Sequence, residues 1–134
     1  MNAVLAALWT KINTTSGAGF LFKLGGRAYL DLAPADTELP LCVYTVGTQR
    51  FERGYSGSTM HVMRAVFTIY DSADTTSGLN AAQDDLRTLL DNAVFSASGY
   101  DRISCVLKQR GSPSQDDDAW SVQEIYELRG QLTS

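Results

Sequence analysis

Apolar residues recur at helical spacing at the start of the chain, where Val4, Leu5, Leu8, Trp9 and Ile12 share one face. That period predicts an amphipathic helix over residues 2–14, with Gly17 as its stop. The glycine-bearing segment Gly17–Thr37 reads as loop with one short strand near Arg27–Leu30. After Pro40 the pattern changes: Leu41–Val46 is rich in β-branched and aromatic residues, as a strand requires. In Met60–Tyr70 the alternation places Met63, Ala65, Phe67 and Ile69 on one face and Val62, Arg64, Val66, Thr68 and Tyr70 on the other. The two runs predict a long antiparallel hairpin with residues 50–58 as its tip.

Asp71–Gly78 is a polar stretch stocked with side chains that accept hydrogen bonds from a helix's first free N–H groups. A second helix follows, with Leu79, Ala82, Leu86, Leu89, Leu90 and Ala93 on its apolar face and Asp84, Asp85, Arg87 and Asp91 pointing away. Arg87 is spaced to pair with Asp84 or Asp91. Beyond Ser96–Gly99, Ile103, Cys105 and Leu107 alternate in one strand, and Trp120, Val122, Tyr126 and Leu128 dominate another. Ile125 interrupts the last alternation, as either a bulge or a strand covered on both faces would. Gly111–Asp118 between them reads as an exposed, mobile loop.

The predicted fold is α+β: a twisted, mostly antiparallel sheet of four or more strands, with two main helices packed on one face. The order is helix, short strand, strand pair, helix, strand pair. Residues 1–134 suit one domain, because 134 residues with no linker or repeat leave room for one core.

Composition narrows the function classes. Apolar residues at 44% and charged residues at 19% belong to a globular chain. A net charge of −4, with the eleven Lys and Arg scattered, argues against binding nucleic acid by phosphate neutralisation. Cys42 and Cys105 each sit within an apolar alternating run and read as buried free thiols. No run of about 20 apolar residues occurs, so a soluble protein without membrane contact is expected.

His61 stands alone in a strand, with no second His to build a zinc or acid–base site. Cys42 or Cys105 beside His61 would need an exposed thiolate for nucleophilic work, which their apolar neighbours disfavour. Gly17-Ala18-Gly19 lacks the third glycine and the strand and helix of a dinucleotide site. Asp116, Asp117 and Asp118 lack the alternating ligands of a calcium loop, and Asp84, Asp85 and Asp91 lie on a solvated face. The expectation is a binding or assembly protein with no catalytic, cofactor or metal site.

The order of segments resembles a known family. The helix with Leu5, Leu8 and Ile12 comes first, then Glu38-Leu39-Pro40-Leu41-Cys42-Val43-Tyr44 and Val66-Phe67-Thr68-Ile69-Tyr70. The polar loop Asp71–Gly78, a helix ending Leu89-Leu90 and a last strand with Trp120, Tyr126 and Leu128 follow. In sequence and spacing this resembles the tail completion, or tail terminator, proteins of long-tailed bacteriophages. The resemblance implies a structural virion protein of the tail or neck, made in the host cytoplasm. Such a protein caps the tail tube as a ring, usually a hexamer, and helps join tail to head. Its implied partners are further copies of itself, the tail tube protein and the head–tail connector, with DNA passing through unbound.

Two partner-binding surfaces are expected. The hairpin tip with Arg50, Phe51, Glu52, Arg53 and Tyr55 mixes charge and aromatics, and Asp116, Asp117 and Asp118 would repel passing DNA if they face a channel. Tyr44 and Tyr70 are either aromatic anchors at an interface or partly buried sheet residues. Rival readings are another neck or head-completion connector, a binding domain unrelated to phage, and a small enzyme whose site forms between subunits.

Overall fold

A computed structural model describes residues 2–13, 20, 24, 26–53, 58–72, 77–116 and 119–133. Its elements are α1 (Asn2–Asn13), β1 (Ala28–Leu30), β2 (Leu41–Arg53), β3 (Thr59–Asp71), α2 (Ser77–Leu90), β4 (Ala93–Ala97), β5 (Tyr100–Arg110), β6 (Ser114–Asp116) and β7 (Ala119–Leu132). The fold is mixed α+β and built mostly of strand, in a curled open sheet ordered β1-β2-β3-β7-β5-β4. Only β1 and β2 run parallel; the other pairings are antiparallel.

Register explains the core. Residues directly opposite one another share a face of the sheet. Tyr44 faces Phe67, which faces Glu124 on the other side; Cys42, Ile69 and Val122 form the next such row. Ala65 faces Tyr126, and Met63, Leu128 and Cys105 stand in line across β3, β7 and β5. This face packs in one cluster with Val4, Leu8 and Ile12 of α1 and Leu79, Ala82, Leu86 and Leu90 of α2. Each of the larger side chains contributes about 1.5–3 kcal/mol by leaving water. The opposite face carries Val43, Thr45, Arg64, Val66, Thr68, Gln123, Ile125 and Glu127.

Several expectations need correction. The second helix ends at Leu90, as the resemblance implies, but Ala93, expected on its apolar face, lies beyond it, because Asn92 takes a positive φ of 63° and reverses the chain into β4. Ala93–Ala97 is a strand, joined to β5 by a two-residue turn whose Gly99 has φ 87°. Residues 50–53 belong to β2 and not to a turn: a bulge between Thr48 and Arg50 absorbs the polar Gln49, and pairing continues to Arg53 opposite Thr59.

The stretch after Arg110 is not simply a loop. Gly111 donates its N–H to the Gln123 carbonyl at 2.7 Å, so close that a Cβ there would lie 2.8 Å from that oxygen. The chain therefore rejoins the ladder, and β6 pairs with the start of β7. The bulge expected at Ile125 lies instead in β5, between Leu107 and Gln109. Strand β7 keeps its alternation because Glu124, fully buried, fills the inner position that an apolar residue would ordinarily take. Gly17 and the rest of the predicted stop lie outside the described residues.

Candidate functional site

The far end of the β2–β3 hairpin carries the first predicted surface, and its two faces differ. On the core side three aromatic rings stack across the strands. Phe51 lies over His61 with centroids 4.5 Å apart, and His61 lies over Tyr100 at 5.9 Å, both pairs nearly parallel. His61 Nε2 sits 2.7 Å from Thr48 Oγ1, and Nδ1 sits 2.6 Å from the Tyr100 hydroxyl. Both ring nitrogens are thus held, and burial pushes the imidazole below its ordinary pKa.

Gly130 makes the stack possible. It lies on β7 opposite both His61 and Ile103, and a Cβ there would come within 2.6 Å of Tyr100 Cδ1. Gly130→Ala is therefore expected to expel the Tyr100 ring and to cost about 1–3 kcal/mol, as overpacking does. Proton NMR titration checks it: with its cover gone, the His61 pKa should rise toward the ordinary value.

On the other side the tip is closed by ion pairs. Arg50 Nε donates to Glu52 Oε2 at 2.8 Å, Arg129 bonds to Glu52 Oε1, and Arg129 Nη1 donates to Glu127 Oε1 at 3.2 Å. The two arginines hold the Glu52 carboxyl below the usual carboxylate range. Val62, opposite both Arg50 and Arg129, is fully buried on this side, away from the face that clusters with α1 and α2. Arginine stems flank it while their charged heads reach solvent. Arg50 and Glu52 are thus engaged within the chain, whereas Arg53 is exposed and Phe51 retains 60% of its accessible surface. Tyr55 lies outside the described residues.

The second predicted surface is far from the first. Asp116 ends β6 opposite Ala119, while Arg50 aligns through Val62 with Arg129. Ten residues of extended β7 separate the two positions by roughly 33 Å. Asp117 and Asp118 lie outside the described residues. Of the tyrosines weighed as anchors, Tyr44 is a core residue, 5% exposed and stacked on Phe67 at 5.6 Å. Tyr70 is half-buried on the face opposite α1 and α2.

One polar cluster escaped sequence reading. Tyr126 donates to Glu124 Oε1 at 2.9 Å, and Arg110 Nε lies 2.8 Å from Oε2. Arg110 Nη2 also donates to Asp84 Oδ1 at 2.7 Å, which ties α2 to β5 in place of the expected pairing of Asp84 with Arg87. Buried Gln83 adds a bond from Nε2 to the Gly111 carbonyl at 3.3 Å. Burial raises the Glu124 pKa, opposed by the Tyr126 hydroxyl and the Arg110 charge. Asp91, expected to point outward, is half-buried and accepts the Leu107 N–H at 2.9 Å. The available signal was the position of Glu124 in the inward series Val122, Tyr126, Leu128.

Cys42 and Cys105 are buried free thiols, and burial pushes Cys105 up to about 12. Among the described residues no helix is long and apolar enough to cross a membrane.

No protein-family model matches the chain, and no curated protein matches it in sequence. Solved structures do. A chain from the virion of a native gene transfer agent particle superposes with a TM-score of 0.70 at 15% identity, covering 97% of this chain and 96% of that one. A second solved structure gives 0.67 at 12% identity, over 99% and 96% of the two chains. At these identities the likeness establishes a shared fold over essentially the full length of all three chains.

Proposed function

We propose that this chain is a structural virion protein that caps a phage-type tail tube as a ring, ends tube polymerisation and helps join tail to head. The observation that carries the reading is the end-to-end likeness to a chain of the gene transfer agent virion, with neither protein left with a large unmatched part. The family resemblance in the order of sequence segments supports it independently.

The geometry suits such a role. With α1 and α2 clustered against one face of the sheet, assembly contacts fall to the two strand ends, the lateral edges and the opposite face. The two strand ends, roughly 33 Å apart, offer separate surfaces to a tube below and a connector above. Phe51 and Arg53 stand at one end and Asp116 at the other. The net charge of −4 suits DNA that passes without being held. The protein carries no catalytic role in this reading and resides in the tail or neck of the virion.

Purified protein added to purified tail tubes should seat as rings at tube ends in electron micrographs and stop further growth on addition of tube protein. Binding to a portal or connector preparation with no effect on tubes would instead identify a head-completion component. Phe51→Asp together with Arg53→Glu should abolish seating while leaving the fold unchanged; capping that survives both would exclude this end as a partner surface.

A further inference from the structure

We infer that copies of this chain associate head to tail through the two lateral edges of the sheet, the β1 edge of one copy meeting the β4–β5 edge of the next. The inference rests on the ring reading for its biological purpose, but its surfaces are read from this chain alone.

Five large apolar side chains stand exposed among the described residues, and four of them lie at the two edges. Leu30 (41%) and Leu32 (82%) are on the β1 side; Val94 (50%) and Val106 (38%) are on the β4–β5 side. The fifth, Phe51, belongs to the hairpin end. Among the described residues no further strand pairs with either edge, and on the β5 side the Leu107 N–H is held by Asp91. Strand β1 pairs only with Cys42–Tyr44 of β2, and β4 pairs only with residues 100–105 of β5. Both edge strands are short and β2 is bulged, which discourages simple continuation of the backbone ladder. Side chains must therefore dominate the contact.

Charge selects the pairing of unlike edges. The β1 side carries Asp31 and Asp36, with Glu38 paired to Arg27 at 3.8 Å and Arg27 also drawn back to the Pro40 carbonyl at 2.9 Å. The β4–β5 side presents Arg102 and Lys108 with Asp101, since Asp91 is taken up by the Leu107 N–H and Arg110 by Asp84 and Glu124. An acidic, leucine-bearing edge thus complements a basic, valine-bearing one in the same molecule. Like edges facing each other would oppose acid to acid. Unlike edges give a heterologous contact, which closes into a ring when its rotation permits.

The test uses full-length chains carrying one surface cysteine each, Leu32→Cys or Val94→Cys, with a short bismaleimide crosslinker. Cys42 and Cys105 are buried and stay out of the reaction. A mixture of the two variants should give a crosslinked dimer, each variant alone should not, and a chain bearing both should give a ladder. Asp36→Lys with Glu38→Lys should weaken self-association about tenfold, as should Arg102→Glu with Lys108→Glu, and all four together should restore it. Crosslinking within one variant, oligomers that yield no mixed crosslink, or a chain that stays monomeric at millimolar concentration would each overturn the inference. Rings at tube ends without the mixed crosslink would leave the tail reading standing and sink this interface. The mixed crosslink in a protein that ignores tubes would do the reverse.

Discussion

Phe67→Ala is expected to lower the free energy of unfolding by about 4 kcal/mol, within the range for removal of a fully buried phenylalanine. The ring is wholly inaccessible and lies between two others: stacked on Tyr44 at 5.6 Å and edge-on to Tyr126 at 5.7 Å. Truncation loses the transfer energy of the ring and both aromatic contacts, each worth roughly 0.5–1.5 kcal/mol beyond area. It also opens a hole where β2, β3 and β7 meet, which strands locked in register cannot close. Against a total stability of about 5–15 kcal/mol, such a loss leaves the protein marginal. Urea unfolding with Phe67→Leu as the conservative control checks it. A cost below about 1 kcal/mol would mean that Tyr44 and Tyr126 collapse onto each other, contrary to a rigid centre.

Why Phe67 was legible in the sequence while other features were not follows from what periodicity records. The inner faces of β3 and α2 announce themselves through Met63, Ala65, Phe67 and Ile69 and through Leu79, Ala82, Leu86 and Leu90, because burial there is purely apolar. The start of β4 is hidden because Ala93 continues the helical spacing of Leu89 and Leu90. Only the positive φ of Asn92 separates them, and an Asn can equally sit within a helix. The full length of β2 is hidden in the sequence because its outer half is polar and bulged, so alternation fades while backbone pairing persists. Side chains report burial; they do not report hydrogen bonds between main chains.

The candidate site divides in the same way. Phe51 and Arg53 were singled out for mixing charge with aromaticity, and both are exposed. Arg50 and Glu52, chosen on the same ground, are turned to each other and to Arg129, a partner 77 residues from Glu52 that only the β3–β7 register brings near. The stack through His61 depends on Gly130, whose lack of a side chain gives no periodic signal. Which strands form the two lateral edges is likewise invisible in the sequence, since edge position is a property of strand order.

Removal of Arg110 should produce the second large effect, and its size should depend on pH. Glu124 is fully buried between Tyr126 and Arg110. Loss of one member of a buried ion pair commonly costs about 3–5 kcal/mol; because the Arg110 side chain is 31% exposed and partly screened, about 2–3 kcal/mol is expected near pH 8. Burial already raises the folded-state pKa of Glu124. The unfolded chain therefore releases this proton first as pH rises, and the contribution to stability is full below the ordinary carboxylate range and declines up to the folded-state value. Arg110 limits that decline. Without it the folded-state pKa climbs further, so Arg110→Ala should cost little at about pH 4 and its full amount near pH 8. Glu124→Gln, which can still accept from the Tyr126 hydroxyl, should flatten the pH dependence, and in that background Arg110→Ala should cost under about 1 kcal/mol. Urea unfolding of the four proteins across this pH range decides the matter. A cost of Arg110→Ala that stays constant with pH and persists in the Glu124→Gln background would assign the arginine's role to its link with Asp84 on α2, leaving the buried carboxylate without energetic consequence.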